Sequence, residues 1–275
     1  MEKDFLEKIN ESVSYIKERI NFDIEIALVL GSGLGVLASE IEDPIIIDYK
    51  DIPHFPKSTA PGHHGRLVIG KISDRNVVCM QGRFHYYEGY DSKTVCYPIF
   101  VFNQLNIKKL ILTNASGCLN KEWNVGDLMI IEDHIKIVAE NPLRGKNYDS
   151  LGPRFFDMSK TYSPKMIQIA KDCAKEINLP IKSGVYSFSS GPSFETSAEV
   201  KLAKLLGADA VGMSTVFEAI VASYFQMELL GISCLTNMAT GISETILNEQ
   251  EVIDAGEKVK PQFIKLLKNI IDKWN

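Results

Sequence analysis

The sequence predicts an α/β fold, a single domain over residues 1–275 with a mixed central β-sheet flanked by helices. Three observations predict it. Short apolar runs of strand character alternate with amphipathic helical stretches almost throughout. The 275 residues, 45% of them hydrophobic, suffice to bury one large core. No repeat, low-complexity block or Pro/Ser-rich linker interrupts the alternation, so no domain boundary is placed.

The elements follow in order. Phe5, Ile9, Val13, Ile16 and Ile20 recur at steps of three or four, the spacing of an amphipathic helix. Residues 24–30 (IEIALVL) form a buried-strand run ending in Gly31-Ser32-Gly33. Residues 34–41 read as a helix and 45–49 as a strand; 67–72 and 77–80 read as strands about the turn-like Ser73-Asp74-Arg75-Asn76. Further strands are expected at 109–113, 128–131 and 185–188. Ser163 caps and Pro164 opens a helix running to Ile177. Thr196 and Glu199 stand at capping-box spacing before a helix that stops at Gly207. Strands at 209–213 and 232–236 enclose a helix over 216–230, and an amphipathic helix fills 250–272.

Composition narrows the function. A net charge of -5 leaves no excess of positive charge to meet phosphate backbones, so a basic nucleic-acid binder is excluded. The five cysteines (Cys79, Cys96, Cys118, Cys173, Cys234) have neither C-x-x-C nor framework spacing, which argues against disulfides and zinc. The opening Met-Glu-Lys-Asp lacks a signal-peptide apolar run, and no stretch approaches membrane-spanning length. A soluble, cytoplasmic protein with no membrane partner is expected.

In α/β sheets, ligands bind beyond the carboxyl ends of strands. Six expected strand ends deliver small, polar or charged groups: Ser32, the Gly82-Arg83-Phe84-His85 run, Asn114-Ala115-Ser116, the Ser189–Glu195 run, Ser214 and Asn237. That pattern points to a small-molecule enzyme. The Gly31–Gly35 turn lacks a third fingerprint glycine (Val36) and any Gly-Lys-Ser/Thr; it reads equally as an anion cradle at a helix start or as a tight turn. Arg83 and His85, two apart, face one way in an extended segment and suit an oxyanion, although an isolated pair is more often surface decoration. His63 and His64 are adjacent and point apart, with no acidic partner at ligand spacing, which argues against metal. Glu195 suits either a helix N-terminus or a ligand's donors, and Asn237 either a turn or a bidentate reader. Tyr87, Phe155, Phe194 and Met213 could each be plain core.

Taken together, GSGLG (31–35), PGHHGRLV (61–68), QGRFHYYEGY (81–90), TNASG (113–117), GDLMIIEDHI (126–135), NPLRG (141–145), SGPSFET (190–196), GADAVGMST (207–215) and LTNMATGIS (235–243) closely resemble the trimeric purine nucleoside phosphorylases, in order, from about residue 25 to the C-terminal helix. The resemblance implies the nucleoside phosphorylase fold and phosphate-dependent cleavage of purine nucleosides, with no metal or organic cofactor and inorganic phosphate as co-substrate. It implies that Ser32, His63, Arg83, His85, the Ala115 backbone and Ser214 hold phosphate. Ribose would pack on Tyr87 and Met213, and Phe194, Glu195 and Asn237 would hold the purine. Asn237, Glu195 and His85 would carry the catalytic roles. Phe155 would close a neighbouring subunit's site, so a homotrimer is implied.

The chemistry suits these residue types. Phosphate is itself the nucleophile and needs fixed donors rather than an activated side chain. As the glycosidic bond breaks, the purine gathers negative charge, which Asn237 can meet at N7 and O6. A 6-oxopurine N1–H can donate to Glu195, whereas adenine presents a lone pair there, so inosine and guanosine are favoured. The competing readings are a same-fold phosphorylase preferring xanthosine or methylthioadenosine, a nucleoside hydrolase, and a non-catalytic purine binder. Three departures from the family pattern stand out: Glu249 near the place of a family His expected at the 5′-hydroxyl, Ser116 and Cys118 within Asn114–Cys118, and Phe217 in place of a Pro.

Overall fold

The computed structural model describes residues 4–60, 64–137, 140–243 and 249–274, with only the backbone at 249 and 252. One nine-stranded mixed sheet forms the centre, in the order β2-β3-β4-β1-β5-β8-β7-β6-β9. Its strands are β1 (Ile26–Leu30), β2 (Glu42–Asp48), β3 (Arg66–Ile72), β4 (Arg75–Gln81), β5 (Lys109–Cys118), β6 (Leu128–Ile135), β7 (Ile181–Phe188), β8 (Ala210–Gly212) and β9 (Glu228–Met238). β9 also pairs with β5, so β5, β8, β7, β6 and β9 close into a ring while β2–β3–β4–β1 extends from it as an open wing.

The central strands are apolar on both faces because helices cover both. Ile26, Leu28 and Leu30 of β1 enter one core, while Ala27 and Val29 enter the other. β4 repeats the alternation, with Val77 and Cys79 on one side and Val78 and Met80 on the other. Helices α1 (Phe5–Lys17), α3 (Tyr97–Gln104) and α6 (Val216–Tyr224) supply the core of Ala27 and Val29; α4 (Pro164–Glu176) and α7 (Glu249–Lys273) supply that of Ile26, Leu28 and Leu30. A small third cluster packs α5 (Ser197–Leu205) against the ring. Sequence-derived caps hold here: the Ser163 side chain accepts from Met166 N–H, and Thr196 with Glu199 makes a reciprocal capping box.

Three elements differ from expectation. The 34–41 segment is a six-residue 3-10 turn (Gly35–Glu40) rather than an α-helix. The helix expected over 216–230 stops at Tyr224, because Gln226 turns left-handed (φ 54°) and a Schellman pair forms from Met227 N–H to Ala222 O and Gln226 N–H to Ser223 O. Residues 92–104, given no element from sequence, form α2 (Ser92–Val95) and α3. Tyr97 to Phe102 are all buried, so α3 has no polar face to reveal a helical period. All five cysteines are buried and unpaired, and no helix among the described residues is long and apolar enough to cross a membrane.

Candidate active site

A cavity opens where β5 exchanges one neighbour for another. One edge of β5 pairs with β9 from Lys109 to Cys118. The other is covered by β1 as far as Leu112, and β8 begins only at Gly117. Residues 113–116 fall between the two, at a topological switch of the kind that binds ligands in α/β sheets. β5 and β9 run on through the site, so Asn114, Ala115 and Asn237 sit within strands rather than beyond their ends. Gly31 allows the close approach: a Cβ there would lie 2.6 Å from the Asn114 Cα.

The residues singled out from sequence converge on this cavity. Ser32, Arg83, His85, Ala115 and Ser214 line it, as do Tyr87, Met213, Phe194, Glu195 and Asn237. His63 and the Glu249 side chain lie outside the described residues. Phe155 does not line the cavity of its own chain; it stands 89% exposed on the surface. Gly191, with a left-handed φ of 63°, wedges between Tyr87 and Met213, where a Cβ would come within 3.2 Å of Tyr87 Cδ1 and 2.5 Å of Met213 Sδ.

Arg83 is 1% exposed, and its guanidinium is the hub of the polar wall. Nε and Nη2 donate to the Glu218 carboxylate at 3.3 and 2.6 Å, and Nη1 donates to Thr113 O at 2.7 Å and to Ser214 Oγ at 3.3 Å. Glu218, on α6, also accepts the Thr215 N–H at 2.8 Å. The sequence reading did not single out Glu218. Its signals were a lone acid in the apolar helix Val216–Tyr224 and Thr-x-x-Glu capping spacing from Thr215. Tyr186 was missed too; its hydroxyl accepts the Ser214 N–H at 3.4 Å, and burial pushes it up to about 12.

His85 is held from both sides. Its ring stacks on Tyr87 (centroids 4.6 Å, planes 16° apart), and its Nδ1 meets Glu88 Oε1 at 3.1 Å. Burial lowers the imidazole below its usual range, opposed by the hydrogen bond to Glu88. A carboxylate only accepts, so the ring donates Nδ1–H to Glu88. Burial pushes Glu88 up, yet hydrogen bonds from His85 and Thr59 outweigh it and hold the carboxyl at about 2. Opposite in character is Glu195: its Oε1 is buried and receives no hydrogen bond from any described residue. A buried acceptor left unpaired is costly, and a ligand's N–H would relieve that cost. One cavity therefore combines donors suited to a tetrahedral oxyanion, an aromatic and thioether floor, and an acceptor awaiting a donor.

Comparison with known proteins agrees with this geometry. Residues 25–272 match the family model of the phosphorylase superfamily. The chain is 50% identical over 263 residues to purine nucleoside phosphorylase 1 of Geobacillus stearothermophilus, covering 96% of each chain. Crystal structures of Schistosoma mansoni purine nucleoside phosphorylase in complex with adenosine and with inosine each superpose with a TM-score of 0.93 at 35% identity. The adenosine complex is covered over 98% of both chains; for the inosine complex the coverage is 98% of this chain and 97% of that one.

Two outcomes follow from the buried charges. Glu218→Gln leaves Arg83 without a compensating charge and should lower unfolding stability by about 3–5 kcal/mol, measured by urea titration. Millimolar phosphate should then raise the variant's melting temperature more than the wild type's. For Glu88, the folded carboxyl ionises at about 2 against an ordinary 4.5, so the folded state binds fewer protons. Its contribution is complete above pH 4.5 and is lost as pH falls toward 2. The stability gap between wild type and Glu88→Gln should therefore close over that acid range; a gap undiminished at about pH 3 would count against the pairing.

Proposed function

The chain belongs to the phosphorylase superfamily and carries out phosphorolysis of purine nucleosides, and on that premise we propose that its substrates are the 6-oxopurine nucleosides inosine and guanosine, ribo or 2′-deoxyribo. The products are free base and (deoxy)ribose 1-phosphate, as purine salvage requires. Phosphate meets the Arg83, Ser32, His85 and Ser214 side chains and the Ala115 backbone, joined by His63 from the Pro61–Val68 motif. Ribose lies on Tyr87 and Met213, whose placement about Gly191 supports that reading. Phe194 faces the purine.

One observation carries the base preference: the unpartnered, buried Glu195 Oε1 in the same cavity as the Asn237 amide. A 6-oxopurine supplies an N1–H to that oxygen; adenine supplies a lone pair and leaves the carboxylate unpaired. Asn237, 6% exposed, meets the charge that gathers on the departing base. The phosphate dianion offsets the positive charge on the ribosyl ring, and its attack on the anomeric carbon completes the transfer. Binding energy is thus spent on orientation and on charge that develops in the transition state. The reaction as derived calls on no metal or organic cofactor.

We place the protein in the cytoplasm, where five unpaired thiols are stable. We also propose a homotrimer in which Phe155, 89% exposed here, reaches a neighbour's site. Exposed Leu202 and Leu205 on α5, with Leu206 at its C-terminal cap, give a second apolar surface that such an assembly would cover.

Steady-state competition tests the base preference. Inosine and guanosine should exceed adenosine in kcat/KM by about 100-fold or more, the discrimination expected where a wrong substrate leaves a buried group unpaired. Asn237→Asp should shift the ratio toward adenosine; an unchanged ratio would remove Asn237 from base reading.

A further inference from the structure

Ser214 follows β8 on a turn that is strained. Thr215 has φ 74° and ψ -47°, and Val216 N–H donates to Ser214 O at 2.7 Å. That is a γ-turn of the rare left-handed kind, carried by a β-branched residue. Such conformations are costly and persist only where their surroundings impose them. Two groups hold Thr215: Glu218 accepts its N–H, and the Asn114 Nδ2 donates to its Oγ1 at 2.8 Å.

Asn114 is itself anchored. Ser233 of β9, fully buried and outside the cavity lining, donates to Asn114 Oδ1 at 2.5 Å. Ser116 Oγ lies 2.6 Å from Ser233 Oγ. The directions follow from hydroxyl valence. Ser233 has one proton and gives it to Asn114, so Ser116 donates to Ser233. Thr215 Oγ1 accepts from Asn114, and it lies 3.2 Å from Ser214 Oγ, within reach to donate its own proton there. Ser214 Oγ also accepts from Arg83, and with Thr215 donating to it as well its own proton is the one left for the cavity it lines.

We propose that Ser233, Asn114 and Thr215 are positioning residues for phosphate, forming with Ser116 a one-way hydrogen-bond chain that holds the strained turn and makes Ser214 a donor to the anion. This rests on the phosphorylase reading of the cavity. Hydrogen bonds in series polarise one another, so Ser214, accepting two, is a better donor than an isolated serine.

The test is steady-state kinetics with phosphate and inosine varied separately. Ser233→Ala should raise the phosphate KM about five-fold, the worth of one buried hydrogen bond, with the inosine KM unchanged. Thr215→Val, which keeps the shape and loses the hydroxyl, should raise it about tenfold or more, and Thr215→Ser should restore it. Equal changes in both KM values, or a lowered melting temperature with phosphate KM intact in both variants, would make the chain merely structural and overturn the proposal. A wild-type enzyme that turned over inosine without phosphate would instead overturn the phosphorylase reading and the proposal with it.

Discussion

A guanidinium buried to 1% exposure must be paired, and the way Arg83 is paired organises the centre of this molecule. Its hydrogen bonds reach the Glu218 carboxylate on α6, the Thr113 carbonyl on β5 and Ser214 after β8, so one side chain ties together three elements that meet at the strand exchange. Glu218 in turn draws in the Thr215 N–H. The desolvation of such a pair is large, and its stabilising worth against an apolar replacement is small or negative. What it secures is a cation held in one orientation at the edge of a cavity.

That arrangement accounts for the character of the site. A dianion bound beside Arg83, as proposed, would meet a charge already compensated by Glu218, so its binding would be spread over several fixed donors rather than vested in one ion pair. Such preorganised donors cost no reorganisation when charge moves in the transition state. Elsewhere in the same cavity the logic is reversed: Glu195 Oε1 receives no donor from any described residue, a cost that the N1–H of the proposed 6-oxopurine substrate would offset. The His85–Glu88 pair adds a third element, fixing the orientation of the imidazole and tying it to Thr59.

Much of the fold was legible in the sequence wherever a short apolar run or a cap stands out. The apolar runs at 24–30 and 77–80 mark two central strands, and the caps at Ser163 and Thr196 mark two helix starts. It was illegible where a fully buried segment is a helix with no polar face, as in Tyr97–Phe102, and where a non-glycine residue ends a helix, as Gln226 does. The residues that line the cavity were legible because their motifs are long and ordered. Those that support them were not: Glu218 reads as a helix-capping acid, and Ser233 as one polar residue in a buried strand. Thr215 carries no sign of its left-handed turn. Their roles come from contacts 101 to 135 residues apart, Thr215 and Ser233 with Asn114 and Glu218 with Arg83, which no local pattern encodes.

The central claim is that the Arg83–Glu218 wall holds the phosphate that attacks the sugar. Its most direct test is to incubate purified protein with inosine, with and without phosphate, and identify both products. Hypoxanthine and ribose 1-phosphate formed only when phosphate is present is the result the account predicts. Free ribose formed without phosphate would contradict it, since water rather than a held anion would then be the nucleophile.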